Sequence, residues 1–170
     1  MIEMIVDSVR VNLVNPNRVV VLKEPDRNRY LAIMIGGSEA DSIAIRLQER
    51  ETLRPLTHDL LLNAIETLGG TIEQITVYKL IDQVYYAKIV IVTQDNKFEI
   101  DSRPSDSIAL AVRVGAPIFV AEEVLEAAGI EPREDNFDEE LEVDAITEDE
   151  IKPFADFIKG LDLDDLGRAQ

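Results

Sequence analysis

The tetrapeptide Asp-Ser-Ile-Ala stands at residues 41–44 and again at residues 106–109. In each copy an apolar, strand-like run precedes the tetrapeptide, and its Ile and Ala begin an apolar stripe at helical spacing. A repeat in matching surroundings is typical of a duplicated structural unit. The sequence therefore predicts an α+β fold in which duplicated β3-α units form antiparallel or mixed sheets packed on helices.

Turn residues and apolar runs give the bounds of the two predicted units. Strands are expected at residues 2–14, 18–23 and 30–35 in the first unit, and at residues 71–81, 84–93 and 98–100 in the second. We expect Ser38 to cap the first helix and Thr57 to cap a following helix, which ends at Gly69. Pro104 suits the first turn of the helix in the second unit, and Gly115 suits its end.

Length and composition predict one compact domain at residues 1–130 and an appended tail at residues 131–170. A chain of 170 residues with 46% apolar content can bury a single full core. The absence of cysteine excludes disulfides, thiolate metal sites and a cysteine nucleophile, and a single histidine excludes a site of several histidines in one chain. The chain shows neither a secretory signal nor a membrane-length apolar run, so we expect a cytoplasmic protein.

The acidic charge is concentrated in the tail. Residues 131–170 hold 15 acids and 4 bases, for a charge of −11, out of a formal total of −17. This composition predicts a solvated linker that is followed, near residues 148–159, by an amphipathic helix with Phe154 and Phe157 on its apolar face. A field of this sign repels phosphate backbones, so the tail is a candidate for contact with a protein partner instead.

The first chemically distinctive motif is Asp-Ser-Arg-Pro-Ser-Asp at residues 101–106, where a predicted strand gives way to a helix. Backbone donors at a helix start attract anions, and Arg103 can bind a phosphate through two parallel hydrogen bonds. Asp101 and Asp106 are close enough in sequence to hold a metal ion or a water molecule. In the simpler interpretation Ser105 and Asp106 only stabilise the first helical turn, and Arg103 pairs with a surface acid.

The second motif is Arg-Pro-Leu-Thr-His-Asp at residues 54–59, and it contains the only histidine of the chain. Histidine is the usual proton-transfer group near neutral pH, and here it stands at a helix start beside Asp59. The simpler interpretation is an exposed first-turn histidine that orients the loop.

With these two motifs the chain resembles the bifunctional nuclease domain family. The resemblance covers roughly residues 1–130, and its most specific segments are residues 54–61 and 100–111, followed by Pro117-Ile118. It implies cleavage of both DNA and RNA, a fold of two repeated β3-α units, and homo-oligomers, among which we expect a dimer.

The leading hypothesis is a nuclease that hydrolyses phosphodiester bonds with catalytic residues drawn from both motifs. Asp101 and Asp106 would hold a divalent cation, and oxygen ligands favour magnesium or manganese. His58 and Asp59 would transfer protons. The candidate substrate-binding residues are Arg103, Ser105 and Arg54.

Two alternatives stay open at this point. The chain could be a non-catalytic interaction or regulatory module whose acidic tail binds a protein partner, an interpretation that the charge of −17 favours. It could also be an enzyme that acts on a small phosphorylated metabolite, which would require an enclosed cavity.

Overall fold

The computed structural model describes residues 1–11, 18–132 and 144–145. The strands are β1 (Ile2–Val11), β2 (Arg18–Lys23), β3 (Tyr30–Ile35), β4 (Thr71–Ile81), β5 (Val84–Val92), β6 (Lys97–Ser102), β7 (Ile118–Val120), β8 (Gly129–Ile130) and β9 (Asp144–Ala145). The helices are α1 (Gly37–Leu47), α2 (Thr57–Thr67), α3 (Pro104–Val114) and α4 (Glu122–Ala128). The predicted tail helix at residues 148–159 lies outside the described residues.

The strands form one mixed sheet, so the predicted α+β class is confirmed. Their order is β6-β5-β4-β7-β1-β2-β3-β8, and β9 pairs with β1 on the edge opposite β2. The neighbouring pairs are antiparallel apart from β4 and β7, which run parallel. An antiparallel set of three strands precedes α1, another precedes α3, and β7 joins the two sets because it pairs with both β1 and β4.

The predicted turns and helix ends lie where the backbone requires a positive φ. Asp82 and Gln83 connect β4 to β5 with φ angles of 48° and 64°, the left-handed pair of a two-residue hairpin turn. Gly69 follows α2 with φ of 80°, and Gly115 ends α3 with φ of 67°. Glycine adopts this conformation without a Cβ penalty, which is why the helices end there.

The two predicted helix caps are wrong by one or two positions. Gly36 is the N-cap of α1, so Ser38 lies inside the first turn. Leu56 is the N-cap of α2, and Thr57 is the first helical residue. The Leu56 N–H donates to Asp59 Oδ2 at 2.7 Å, so a first-turn carboxylate reaches back to the cap backbone and no Thr57 hydroxyl is needed there.

The main core lies between the sheet and the helices. Val20 and Leu22 of β2 point into it, whereas Val19 and Val21 point to the opposite face, as strand alternation requires. α3 contributes Leu110, which is fully buried, and α3 packs beside both α1 and α2. This packing brings residues near the starts of α1, α2 and α3 together. None of the helices in the described residues is long and apolar enough to span a membrane.

Candidate active site

A cleft of about 240 Å³ opens where the N-terminal parts of α1, α2 and α3 meet. Its walls are Ser38, Glu39, Ser42, Leu56, Thr57, His58, Arg103 and Asp106. Most of these side chains are polar, and they come from three segments that are distant in sequence. The packing of α3 against the other two helices therefore builds the cleft.

His58 is held at both ring nitrogens. The residue is 6% exposed, its Nδ1 lies 2.9 Å from Ser42 Oγ, and its Nε2 lies 3.1 Å from Asp106 Oδ1. An ionised carboxylate can only accept hydrogen bonds, so we assign the Nε2 proton as the one donated to Asp106. In the neutral ring Nδ1 is then the acceptor, and the Ser42 hydroxyl donates to it.

Arg103 is the N-cap residue of α3, and its side chain is 66% exposed at the cleft. Its Nε donates to Asp106 Oδ2 at 2.8 Å, and its Nη2 donates to Asp106 Oδ1 at 3.1 Å and to Glu39 Oε1 at 2.7 Å. These hydrogen bonds, the one to Asp106 first and the one to Glu39 second, raise the pKa of the Arg103 guanidinium. Arg103 therefore stays cationic while two carboxylates hold it in one orientation.

Arg113 supports the site from inside the protein, with a side chain that is only 4% exposed. Its Nη2 donates to Ser42 Oγ at 2.9 Å, which fixes that oxygen as an acceptor and leaves the hydroxyl proton for His58. Its Nε donates to Asp59 Oδ1 at 2.6 Å. The other Asp59 oxygen accepts from the Leu56 N–H at the start of α2. Arg113, a residue of α3, therefore connects the two helices through Asp59.

The contacts form one continuous path of hydrogen bonds through the three helices. In order, it contains Glu39, Arg103, Asp106, His58, Ser42, Arg113 and Asp59. Removal of an interior member breaks the path in two, and such networks fix geometry more strongly than isolated pairs do.

Three of the residues proposed from the sequence are brought together here. His58, Arg103 and Asp106 line the same cleft, and Asp106 contacts both others. Asp59 lies behind the cleft in the contact with Arg113 and is not one of its lining residues. In this place Asp59 can position the start of α2 and Arg113, but it does not face the cleft.

The remaining predicted residues lie elsewhere. Arg54 is exposed in the loop before α2 and does not line the cleft. Ser105 is 5% exposed and lines a neighbouring apolar groove on the other side of Arg103. Asp101 is exposed on β6 opposite Lys88 of β5. Its neighbour Ser102 turns toward α3, where its Oγ lies 2.5 Å from Ser107 Oγ, so alternation points Asp101 away from that helix.

The donor groups do not fit a cation shared by Asp101 and Asp106. Within residues 1–11 and 18–132, no group of three or more histidine, aspartate or glutamate side chains is arranged to hold a metal ion. Both Asp106 oxygens already accept hydrogen bonds from Arg103 and His58. A divalent cation in this position would have to displace these contacts.

Sequence reasoning missed Glu39, Ser42 and Arg113. Ser42 belongs to the first copy of the repeated tetrapeptide and Asp106 to the second, so the repeat did mark the two residues that hold the histidine. It could not show which polar member of each copy faces the site. Arg113 is one arginine among many, and nothing in its neighbourhood distinguishes it before the helices pack.

Comparisons with known proteins show what the chain is similar to. A family model described as the bifunctional nuclease domain matches residues 20–133. Two relatives, each named as an uncharacterized protein, come from Mycobacterium tuberculosis strains CDC 1551 / Oshkosh and ATCC 25618 / H37Rv. Each is 39% identical to the chain over 163 residues, which is 96% of this chain and 96% of the relative.

Proposed function

Because the chain belongs to the bifunctional nuclease domain family, we propose that it hydrolyses phosphodiester bonds of DNA and RNA in the cleft between α1, α2 and α3. One observation carries the proposal. A histidine oriented by a carboxylate lies in the same cleft as an exposed arginine that suits a phosphate group. A proton-transfer group and a phosphate-binding group are the minimum that this reaction needs from protein side chains.

Arg103 is proposed to bind the phosphate of the bond to be cleaved. Its Nε and Nη2 hold carboxylates, and Nη1 makes no hydrogen bond within the part of the chain that the structure describes. Nη1 is therefore free to donate to a phosphate oxygen. The phosphate can also compete with Glu39 for Nη2, since charge-assisted bonds to phosphate are as strong as those to carboxylate.

His58 is proposed to take the proton of the attacking water. Asp106 holds the Nε2–H, which leaves Nδ1 as the basic nitrogen, and Ser42, which lines the cleft, has its Oγ 2.9 Å from Nδ1. The water proton passes to Ser42 Oγ while the Ser42 proton passes to Nδ1, and the hydroxide attacks phosphorus. The ester P–O bond to the leaving sugar oxygen breaks, and the proton held at Nδ1 returns through Ser42 Oγ to that oxygen. Asp106 then stabilises the imidazolium that forms.

A divalent cation at Asp101 and Asp106 stays a prediction of the sequence, and no step above passes through it. Chelation tests it directly. Cleavage that persists after dialysis against EDTA, and that added magnesium or manganese does not raise, would show that the reaction uses side chains alone.

The experiment on function compares purified full-length protein with His58→Ala, Asp106→Asn and Asp101→Ala on single- and double-stranded DNA and RNA. Asp41→Asn is the matched control, because Asp41 holds the same position in the first tetrapeptide as Asp106 holds in the second. The proposal expects wild type and Asp41→Asn to cleave, and His58→Ala and Asp106→Asn to lose activity by about 10²- to 10⁴-fold. Equal cleavage by all variants would identify a contaminating enzyme and overturn the proposal.

A second candidate function is a non-catalytic interaction module whose acidic tail binds a protein partner. The observation that favours it is charge, since Arg103 and Arg113 in the site are already paired with carboxylates and the chain carries −17 overall. Deletion of residues 131–170 separates the two functions. Nuclease activity that survives the deletion while a partner is lost assigns the interaction to the tail. Light scattering on the intact chain tests the predicted dimer in the same preparation.

A further inference from the structure

A second cleft, here called the arginine pocket, lies on the far side of the Arg113–Asp59 contact from the active-site cleft. It holds about 370 Å³, and three of its lining residues are Arg46, Arg50 and Arg113. Leu56 lines both clefts, so the two adjoin at the start of α2. Three guanidinium groups on one pocket stand out in a chain with 34 acidic and 17 basic residues.

The backbone holds Arg50 in a defined place at the end of α1. The Arg50 N–H donates to the Ile45 carbonyl at 3.1 Å, and the Glu49 N–H donates to the Arg46 carbonyl at 3.0 Å. This pair of bonds is the Schellman arrangement, and Glu49 supplies its left-handed residue with φ of 53°. The backbone of Arg50 is thus fixed at the rim of the pocket before any ligand binds.

Two of the three arginines, Arg46 and Arg50, form no ion pair within 4 Å in the described residues, although Glu49 and Glu51 also line the pocket. Arg50 Nη1 is fully buried and has no hydrogen-bond partner. Arg46 donates only to the Arg113 carbonyl, at 3.3 Å. Arg113, in contrast, is paired with Asp59. A buried charged donor without an acceptor is unfavourable, so an acceptor that enters the pocket is stabilised by it.

We propose that the arginine pocket binds a backbone phosphate of a polynucleotide, next to the phosphate that Arg103 holds in the active-site cleft. Guanidinium groups present forks of donors that match phosphate oxygens. Glu49 and Glu51 also line the pocket, and they favour a diester with one negative charge over a free phosphate with two. This inference rests on the proposed function, because it takes the polynucleotide as the occupant of both clefts.

The test is binding of a fluorescent, phosphorothioate single-stranded oligonucleotide to the full chain, measured by anisotropy at several salt concentrations. Arg50→Gln is expected to weaken binding about tenfold and to reduce the slope of log affinity against log salt by about 0.7, the value of one lost phosphate contact. Arg27→Gln is the matched control, since it removes the same charge from a side chain that is 69% exposed in the turn between β2 and β3. It should leave affinity and slope unchanged.

Each outcome decides between the two proposals. If wild type binds and Arg50→Gln binds with the same affinity and salt slope, the proposal for the arginine pocket is overturned and the nuclease proposal stands. No binding by wild type overturns both. A thermal shift with inorganic phosphate that is lost in Arg50→Gln, without oligonucleotide binding, shows a site for free phosphate and also overturns the polynucleotide as occupant. If circular dichroism shows that Arg50→Gln does not fold, Arg50→Lys replaces it, and this variant should keep the salt slope but lose several-fold in affinity.

Discussion

Ser42 and Asp106 occupy the two nitrogens of one imidazole, at 2.9 Å and 3.1 Å, although 64 residues separate them in the chain. Each belongs to one copy of the repeated tetrapeptide, and His58 lies in the segment between the copies. The repeat therefore produces an asymmetric result, in which one copy supplies a hydroxyl and the other a carboxylate to the same ring. This relationship fixes the ring and makes Nδ1 the acceptor nitrogen of the neutral imidazole.

The first prediction concerns the tautomer of His58. Because Asp106 accepts from Nε2 and Ser42 donates to Nδ1, the neutral ring should be predominantly in the Nε2–H form. Nitrogen-15 NMR measures this directly, and the single histidine of the chain removes any assignment problem. In Asp106→Ala the acceptor is gone and a mixture of tautomers is expected, whereas Asp41→Asn should match wild type. A ring protonated at Nδ1 in wild type would contradict the proposed direction of proton transfer.

The second prediction is the loss of stability on Ser42→Ala. The change leaves Arg113 Nη2 and His58 Nδ1 without a partner in a buried environment, which costs about 1–3 kcal/mol of the free energy of unfolding. Urea denaturation measures it, and a constant slope with denaturant shows that only stability has changed.

Ser107→Ala is the comparison for that measurement, because Ser107 holds the equivalent place in the second tetrapeptide and is also fully buried. Its Oγ contacts Ser102 Oγ and the Arg103 carbonyl. The Arg103 carbonyl keeps its bond from the Ser107 backbone N–H, and the Ser102 hydroxyl can rotate to another acceptor. The loss should therefore be smaller than for Ser42→Ala, and a larger loss would show that the contact between Ser42 and His58 contributes little.

The elements that could be predicted from the sequence are those that local rules determine. The turn at Asp82 and Gln83, the glycine after α3 and the strand at residues 18–23 each follow from a few neighbouring residues. The predicted caps at Ser38 and Thr57 were wrong because α1 and α2 begin after Gly36 and Leu56, and neither N-cap residue uses a side-chain cap bond.

The site itself was predictable only in part. His58, Arg103 and Asp106 stood in distinctive motifs, and these motifs converge. Asp101 does not join them. Its neighbour Ser102 contacts α3, and because side chains alternate along a strand, the Asp101 side chain points to the opposite face. Arg113 depends on the packing of α3 against α1 and α2, a long-range contact that no local pattern encodes.

The third prediction concerns substrate binding by Arg103. Arg103→Lys keeps the charge but cannot hold Asp106, Glu39 and a phosphate at once, because an ammonium lacks the planar fork. We expect KM for an RNA or DNA substrate to rise by about tenfold, with a smaller fall in kcat. The control is Arg27→Lys, an exposed arginine with a looser contact of 3.7 Å to Glu24. An equal KM in both variants and wild type would remove Arg103 from the phosphate-binding role.

The fourth prediction uses two acids whose pKa values move in opposite directions. Burial raises the pKa of Asp41, and the attraction of Arg18 offsets this only in part. The hydrogen bond from Arg29 lowers the pKa of Glu122. A raised pKa means that the folded state holds the proton more tightly, so the Asp41 contribution to stability is present at low pH and is lost as pH rises through the folded pKa. For Glu122 the contribution is present at neutral pH and is lost as pH falls through the folded pKa.

Asp41→Asn should therefore unfold at a higher temperature than wild type at pH 7, and the difference should shrink as pH falls toward the ordinary aspartate pKa of about 3.9. Glu122→Gln should unfold at a lower temperature than wild type at pH 7, and this difference should also shrink in acid. Calorimetry at several pH values measures both. The opposite signs at pH 7 make the pair a mutual control, since a general effect of removing one negative charge from a chain of −17 would shift both variants in the same direction.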